Sequence, residues 1–446
     1  MGEYADIKAL RKRLTEIFVN FKNDQPFFRR EDVKRTTNKE QWETKRNDLT
    51  ERIRSEQKIP PEAESTPLML LSALDQALVN IGERGSTQPI QIQVNNRDWF
   101  LVKRPVALGT RTHTEQSMHL HNWLNNHLIV PKIFNPDKSA PNNDQSDFKV
   151  KIIIARDDDD VRMRLKNNSL RVWFGTFPDN INPHWPEFND QKCTCKNLEN
   201  PCIRRKSIQK SLNDAQTAQA QVVILPELAV CPTLQEEIRL HLKNKEFNFL
   251  IVVPGSFHEW NKELPDELPF NRTRLLNGEG RQIFTHDKFN PFGSEDKKSC
   301  HEVISIGNTV TLWITPIGVI SLAICRDFCE EDDDSDPRLW KTVAPDLVLV
   351  PSMSPRGGMT AHLRQAQFLY NSCGARVLVA NQWPKQPYPE KGSCNKNDCT
   401  ETDCETANCS ERYLMHGFAF PLPDGKAGAQ EVTNSSEGRL KLLQLP

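Results

Sequence analysis

Three residue types that together support nucleophilic chemistry stand at the ends of apolar runs: Glu227 in QVVILPEL, Lys288 in FTHDKFNPFG and Cys325 in IGVISLAICRDF. A thiol must lose its proton to attack, a carboxylate can accept that proton, and a lysine can hold the negative charge that then develops. Each has a plainer alternative. Cys325 reads equally as a buried core thiol, with Cys329 a nearby competitor, Glu227 as a helix cap and Lys288 as a surface lysine after a strand. Cys325 is favoured over Cys329 because it alone ends the apolar run.

The elements that must position these residues follow from the runs themselves. Residues 222–225 and 317–324 are short, β-branched and continuous, the pattern of strands covered on both faces. A reactive group at such an end rests on a rigid support.

In their order and flanks these segments resemble the nitrilase superfamily of carbon–nitrogen hydrolases, whose signature is a Glu, then a Lys, then a Cys. Further segments fit: SLRVWFGTF (169–177) resembles the first strand and 207–220 the helix before the glutamate strand. After the cysteine, APDLVLVPSMSP (344–355) is similar to the next strand and pocket loop, GARVLVANQ (374–382) to the strand ending in Asn, and HGFAFPLPDG (416–425) to the late strand pair and turn. The resemblance spans about residues 165 to 430.

It implies a four-layer αββα sandwich in which Cys325 attacks an amide, ureide or nitrile carbon and forms a thioester. Glu227 would be the general base, and Lys288 would hold the oxyanion with a backbone N–H just after the nucleophile. Glu302, followed by Gly307, is similar in position to a second glutamate that orients the lysine and substrate, although its spacing to the glycine is short. Arg326 and Ser352 fall at pocket positions, and Arg356, after the pocket strand, would suit an anionic group on the substrate. Ammonia or an amine would leave, no cofactor would be required, and a homo-oligomer is expected. An acyl-transferring protein of the same fold, and a catalytically silent scaffold, are the competing readings. The chain departs from the family pattern in two places: AQFLYNSCGARV lacks the usual Glu, with Ser372 and Cys373 there, and Arg326 replaces an aromatic residue after the cysteine.

Composition frames this reading. At 446 residues the chain exceeds one ordinary core, so two domains are expected: 1–145, an N-terminal, mainly helical module, and 150–446, the hydrolase domain. A net charge of -1 gives no global attraction to nucleic acid or anionic membrane. A mean hydropathy of -0.62 and the lack of an 18-residue apolar run argue against a membrane span, and the mixed charges of MGEYADIKALRKRLTEIF argue against a signal peptide. A cytoplasmic protein is expected.

Twelve cysteines without a signal peptide suit a reducing compartment. Cys193, Cys195 and Cys202 fall in one insertion (178–205), and Cys394, Cys399, Cys404 and Cys409 recur with four intervening residues in a second (383–412). For the second set a structural zinc site, disulfides and a reduced mobile loop all stay open. Either insertion reads as a lid, a partner surface or a solvated decoration.

In the N-terminal module, helical periodicity marks 4–23, 41–58, 67–81 and 115–128, and a hairpin is expected at 90–94 and 99–102 around Asn-Asn-Arg-Asp. The module has no match in the family, and a protein partner would explain it. His113, His119, His121 and His127 do not converge on one helix face and read as surface histidines, and the basic residues from Lys34 to Arg46 read as a solvated face. Residues 131–148 read as a linker, and the acidic runs 157–160 and 330–336 as solvated turns.

Overall fold

The computed structural model describes residues 11–12, 14–16, 19, 88–104, 126–134, 147–156, 169–175, 177, 192–195, 198, 200–245, 247–261, 263, 267–292, 301–329, 338–354, 356–382, 416–421, 429–432 and 440–444. Of the helix expected over 4–23, the described residues are helical, with Leu14 and Val19 buried. The helices expected at 41–58 and 67–81, most of that at 115–128, the three earlier histidines, both acidic runs but for Arg156 and Cys329 at their edges, and Cys394, Cys399, Cys404 and Cys409 lie outside the described residues.

The chain's first described strands are β1 (Ile90–Val94), β2 (Arg97–Lys103) and β3 (His127–Pro131), an antiparallel sheet. Asn95 and Asn96, at φ 51° and 58°, form a two-residue turn, so Val94 pairs with Arg97 and the expected four-residue turn is shorter. His127 is a correction: it is buried in β3 and not on a helix surface, because HLIVP is a β-branched run that pairs along β2. The expected linker likewise begins later, since Pro131 closes β3 and β4 (Ile133–Phe134) pairs with β5 (Phe148–Ile154).

There follow β6 (Ser169–Phe174), β7 (Lys192–Cys193), α1 (Pro201–Thr217), β8 (Val222–Ile224), α2 (Pro232–Asn244), β9 (Ile251–Val253), β10 (Ser256–Glu259), β11 (Phe270–Asn277), β12 (Gln282–Asp287) and β13 (His301–Glu302). Next come β14 (Thr309–Thr315), β15 (Gly318–Leu322), a 3-10 turn at Cys325–Asp327 and α3 (Arg338–Val343). The described chain closes with β16 (Leu347–Ser352), α4 (Arg356–Cys373), β17 (Arg376–Asn381), β18 (Gly417–Phe420), β19 (Gln430–Val432) and β20 (Leu440–Gln444). Helix α1 starts six residues before the expected 207 because Pro201 sits in its first turn, where a missing N–H costs nothing.

These elements form a mixed α/β fold around two large sheets, ordered β10-β11-β9-β8-β6-β20 with β12 on β11, and β19-β18-β17-β16-β15-β14-β5-β4. The period of two along each strand sorts the side chains. In β8, Val222 and Ile224 join a cluster shared with Leu347 and Leu349 of the other sheet, while Val223 joins Ile208, Leu212, Leu234 and Ile238 of α1 and α2. In β16, Val348 and Val350 face Trp340, Met359 and Leu369 of α3 and α4. A strand apolar on both faces therefore reads as a continuous run, and burying each such side chain stabilises the fold by about 1.5 to 3 kcal/mol.

Residues on both sides of the expected 145/150 boundary share a core. Val102, Leu128 and Val130 lie in the cluster of α3, α4 and β16. The Arg104 guanidinium donates to Asp346 Oδ1 at 2.7 Å, both groups being buried. Among the described residues no helix is long and apolar enough to cross a membrane.

Candidate active site

Strand ends from both large sheets deliver the three residues singled out in the sequence to one buried place. Glu227 follows β8 and bridges in parallel to Ser256 of β10, Lys288 follows β12, and Cys325 opens the turn after β15. All three side chains are buried, as is that of Glu302. The Lys288 ammonium donates to Glu227 Oε1 at 2.8 Å and to Glu302 Oε2 at 2.7 Å, leaving its third N–H for a ligand.

The register explains who else is present. His258 of β10 pairs with Asn271 of β11, and Lys288 N–H donates to the Asn271 carbonyl at 2.8 Å, so His258, Asn271 and Lys288 form a row across three neighbouring strands. Asn271 Nδ2 donates to Glu227 Oε1 at 2.9 Å and to Glu302 Oε1 at 2.7 Å, which fixes the amide's orientation because carboxylates only accept. The Cys195 N–H donates to His258 Nδ1 at 2.7 Å, so the ring's proton is on Nε2, which donates to Glu302 Oε1 at 2.9 Å.

That contact belongs to the first insertion. Among its described residues, β7 pairs with β13, placing Cys193 beside Glu302, Cys195 is fully buried, and 201–205 are the first turn of α1. The stretch 192–195 thus lies beside Glu302 and His258.

The two carboxylates occupy unlike environments. Glu302 accepts from Lys288, His258, Asn271 and the Phe292 N–H (2.8 Å); although burial pushes its pKa up, Lys288 and His258 overcome that and hold it well below the usual carboxylate range. Glu227 accepts from Lys288, Asn271 and the Met353 N–H (3.0 Å). Burial first, and then the neighbouring Cys325 and Glu302, raise its pKa well above the ordinary value against the pull of Lys288. Lys288 is drawn down by burial, but Glu227, Glu302 and Cys325 keep its pKa well above the ordinary lysine value. The two glutamates are thus pushed in opposite directions, Glu302 toward holding its charge and Glu227 toward holding a proton.

Cys325 has φ 45°, in the left-handed region that a side chain rarely adopts, and Leu228 beside the glutamate has φ 53°. Such backbone costs on the order of 1–3 kcal/mol per residue and persists only where its surroundings dictate it. Here Asp327 does so: its carboxylate accepts the N–H groups of Phe289 (3.0 Å) and Asn290 (2.8 Å) and contacts His286 Nε2 at 2.8 Å. The residues just after Lys288 are thereby tied to the turn that holds Cys325. Gly307 serves the same strand end, donating to the Lys288 carbonyl at 2.9 Å, with no room for a Cβ, which would collide with the Asp287 carbonyl oxygen.

The other predicted site residues distribute differently. Ser352 is buried, its hydroxyl 3.6 Å from Cys325 Sγ. Arg326 donates to the Pro291 carbonyl at 3.3 Å. Arg356 opens α4, and its side chain lies outside the described residues. At the departure from the family pattern, Ser372 and Cys373 are both buried, and Cys373 belongs to the core beneath α4. Among the described residues no group of His, Cys, Asp and Glu could hold a metal ion.

Sequence reasoning missed Asn271, His258, Asp327, His286, Ser354 and His362. The C-R-D and T-H-D-K strings carry two of them, but only the strand register shows what they touch.

No protein-family model matches the chain, and no curated protein is similar to it. Solved structures are. An amidase from Nesterenkonia sp. is 16% identical over 48% of this chain and 75% of its own, with a TM-score of 0.32. Nit3 of Saccharomyces cerevisiae, described as a member of branch 10 of the nitrilase superfamily, is 17% identical over 48% and 75%, with a TM-score of 0.34. A glutamine-dependent NAD+ synthetase from Acinetobacter baumannii is 16% identical over 48% of this chain and 38% of its own, with a TM-score of 0.35.

Proposed function

We propose that the protein is a thiol-dependent hydrolase of a non-peptide carbon–nitrogen bond, in an amide, ureide or nitrile, built as a four-layer αββα sandwich. The observation that carries this reading is the buried Lys288 held between two glutamates of opposite tendency, with Cys325 at the neighbouring strand end. Glu227, whose pKa burial raises above the ordinary carboxylate value so that it holds a proton more readily, takes the Cys325 proton as the sulfur attacks the electrophilic carbon. The third N–H of Lys288 receives the oxygen or nitrogen that becomes negative. For an amide, the C–N bond then breaks, Glu227 returns its proton to the leaving nitrogen, and a thioester on Cys325 remains. Water, losing a proton to Glu227, attacks the thioester; the C–S bond breaks, the acid leaves and the thiol is restored. Each step uses a side chain of this protein.

Ammonia or amine release from a panel of amides, ureides and nitriles tests the reading, with native chain and Cys325→Ala compared at equal folded concentration. Release by the native chain that disappears in the variant is expected. Equal release by both, or none by either, refutes it.

A further inference from the structure

Behind the nucleophile lies a buried polar chain that none of those steps uses. Cys329 Sγ makes a short contact with His362 Nδ1. The ring's Nε2 is 2.9 Å from Ser352 Oγ and 3.1 Å from Ser354 Oγ, and the two hydroxyls are 2.8 Å apart. Ser354 Oγ is 3.2 Å from Cys325 Sγ. Ser354 is itself held, its N–H donating to Asn381 Oδ1 at 2.8 Å and its carbonyl accepting from Asn381 Nδ2 at 3.1 Å. All five members of the chain are buried.

Counting hydrogens gives this chain a direction. If Cys329 donates to Nδ1, the ring's proton is on Nε2 and goes to Ser352, Ser352 donates to Ser354, and Ser354 donates to Cys325 Sγ; every hydrogen has an acceptor. In the reverse order the ring donates from Nδ1 to Cys329 and Cys325 Sγ would have to donate to Ser354, which a deprotonated sulfur cannot do. The first order makes Cys325 Sγ an acceptor, which is what a deprotonated sulfur needs.

We infer that Cys329, His362, Ser352 and Ser354 form a directed hydrogen-bond relay that presents the Ser354 hydroxyl to the deprotonated Cys325, with His362 as a positioning residue. This rests on Cys325 being the nucleophile. Burial pushes the His362 pKa down to about 4, so the ring keeps a single proton at neutral pH, as the relay requires. The charged groups facing Cys325 are Glu227 and Lys288, with Glu302 behind the lysine, and both Glu227 and Lys288 also act on His362. On the nucleophile's own turn, Arg326 bonds the Pro291 carbonyl and Asp327 bonds His286 and the backbone.

The test is the pH profile of Cys325 alkylation by iodoacetamide, followed by mass spectrometry in the native full chain, Ser354→Ala, Ser354→Thr and His362→Gln. Cleavage after Arg326 puts Cys325 and Cys329 on different peptides. Loss of the donor in Ser354→Ala is expected to raise the midpoint by about one pH unit, an alkylation rate about tenfold lower on the acid side. His362→Gln shifts it the same way, and Ser354→Thr, which keeps the hydroxyl, restores the native profile. A native midpoint in folded Ser354→Ala, or an equal shift in Ser354→Thr, overturns the relay; if Ser354→Ala does not fold, a native midpoint in His362→Gln does so. Shifted profiles in a chain that hydrolyses no amide, ureide or nitrile refute the proposed function and leave the relay standing. Thiol-dependent hydrolysis with unshifted profiles overturns the relay alone.

Discussion

Replacing Glu302 by glutamine removes one negative charge from a buried cluster of two carboxylates and one ammonium. The native side chain accepts from four donors, Lys288 Nζ, Asn271 Nδ2, His258 Nε2 and the Phe292 N–H, at 2.7 to 2.9 Å. A glutamine has one acceptor oxygen in place of two and turns N–H groups toward the remaining donors. Removing a partner from a buried ion pair costs about 3–5 kcal/mol. Lys288 keeps Glu227 at 2.8 Å, so the lower end, about 3 kcal/mol, is expected. The charge change also reaches the base, because Glu302 is one of the groups that raise the Glu227 pKa. In the variant Lys288 serves Glu227 alone, the Glu227 pKa falls, and the acidic limb of kcat/KM moves to lower pH with a reduced plateau. The stability difference has its own pH signature. Since the folded-state pKa of Glu302 is depressed, its contribution is complete above the unfolded carboxylate value, roughly 4.3, and is lost as pH falls below it. Urea midpoints and pH–rate profiles of ammonia release measure both effects. An acidic limb that moves upward, or native stability at pH 7, refutes the assignment of Glu302 as the fixed anion.

Three further outcomes are expected. Gly307→Ala places a Cβ against the Asp287 carbonyl oxygen, forces that carbonyl away and displaces Lys288, lowering kcat by about 10²-fold in steady-state assays. Asp346→Ala leaves the Arg104 guanidinium buried without its carboxylate and costs about 3–5 kcal/mol in denaturant titrations, which measures how far the N-terminal strands belong to the core. Asp327→Ala strips acceptors from the Phe289 and Asn290 N–H groups, at about 1–3 kcal/mol each, and lowers kcat by loosening the tie between the Lys288 and Cys325 ends, seen by comparing kcat with thermal stability.

The sequence carries the strands because burial on both faces leaves a continuous apolar run, as at residues 222–225 and 347–350. It carries Glu227 and Cys325 because each follows such a run, and Lys288 because it follows the strand FTHD. Asn271, His258 and His362 were invisible for a physical reason: their roles come from register and from helix-to-strand packing, neither of which is written locally. His127 misled because a histidine beside a helical period looks like the helix's end, whereas pairing with β2 decides its place. The polar stretch around Cys193 and Cys195 likewise gives no sign that its backbone reaches His258 and Glu302.

The central claim is that Cys325 carries a covalent acyl group. Rapid quenching during turnover of a small amide, followed by peptide mass analysis, tests it most directly. The account predicts an acyl adduct on the peptide ending at Arg326, absent in Cys325→Ala, whereas turnover without that adduct and undiminished in Cys325→Ala would contradict it.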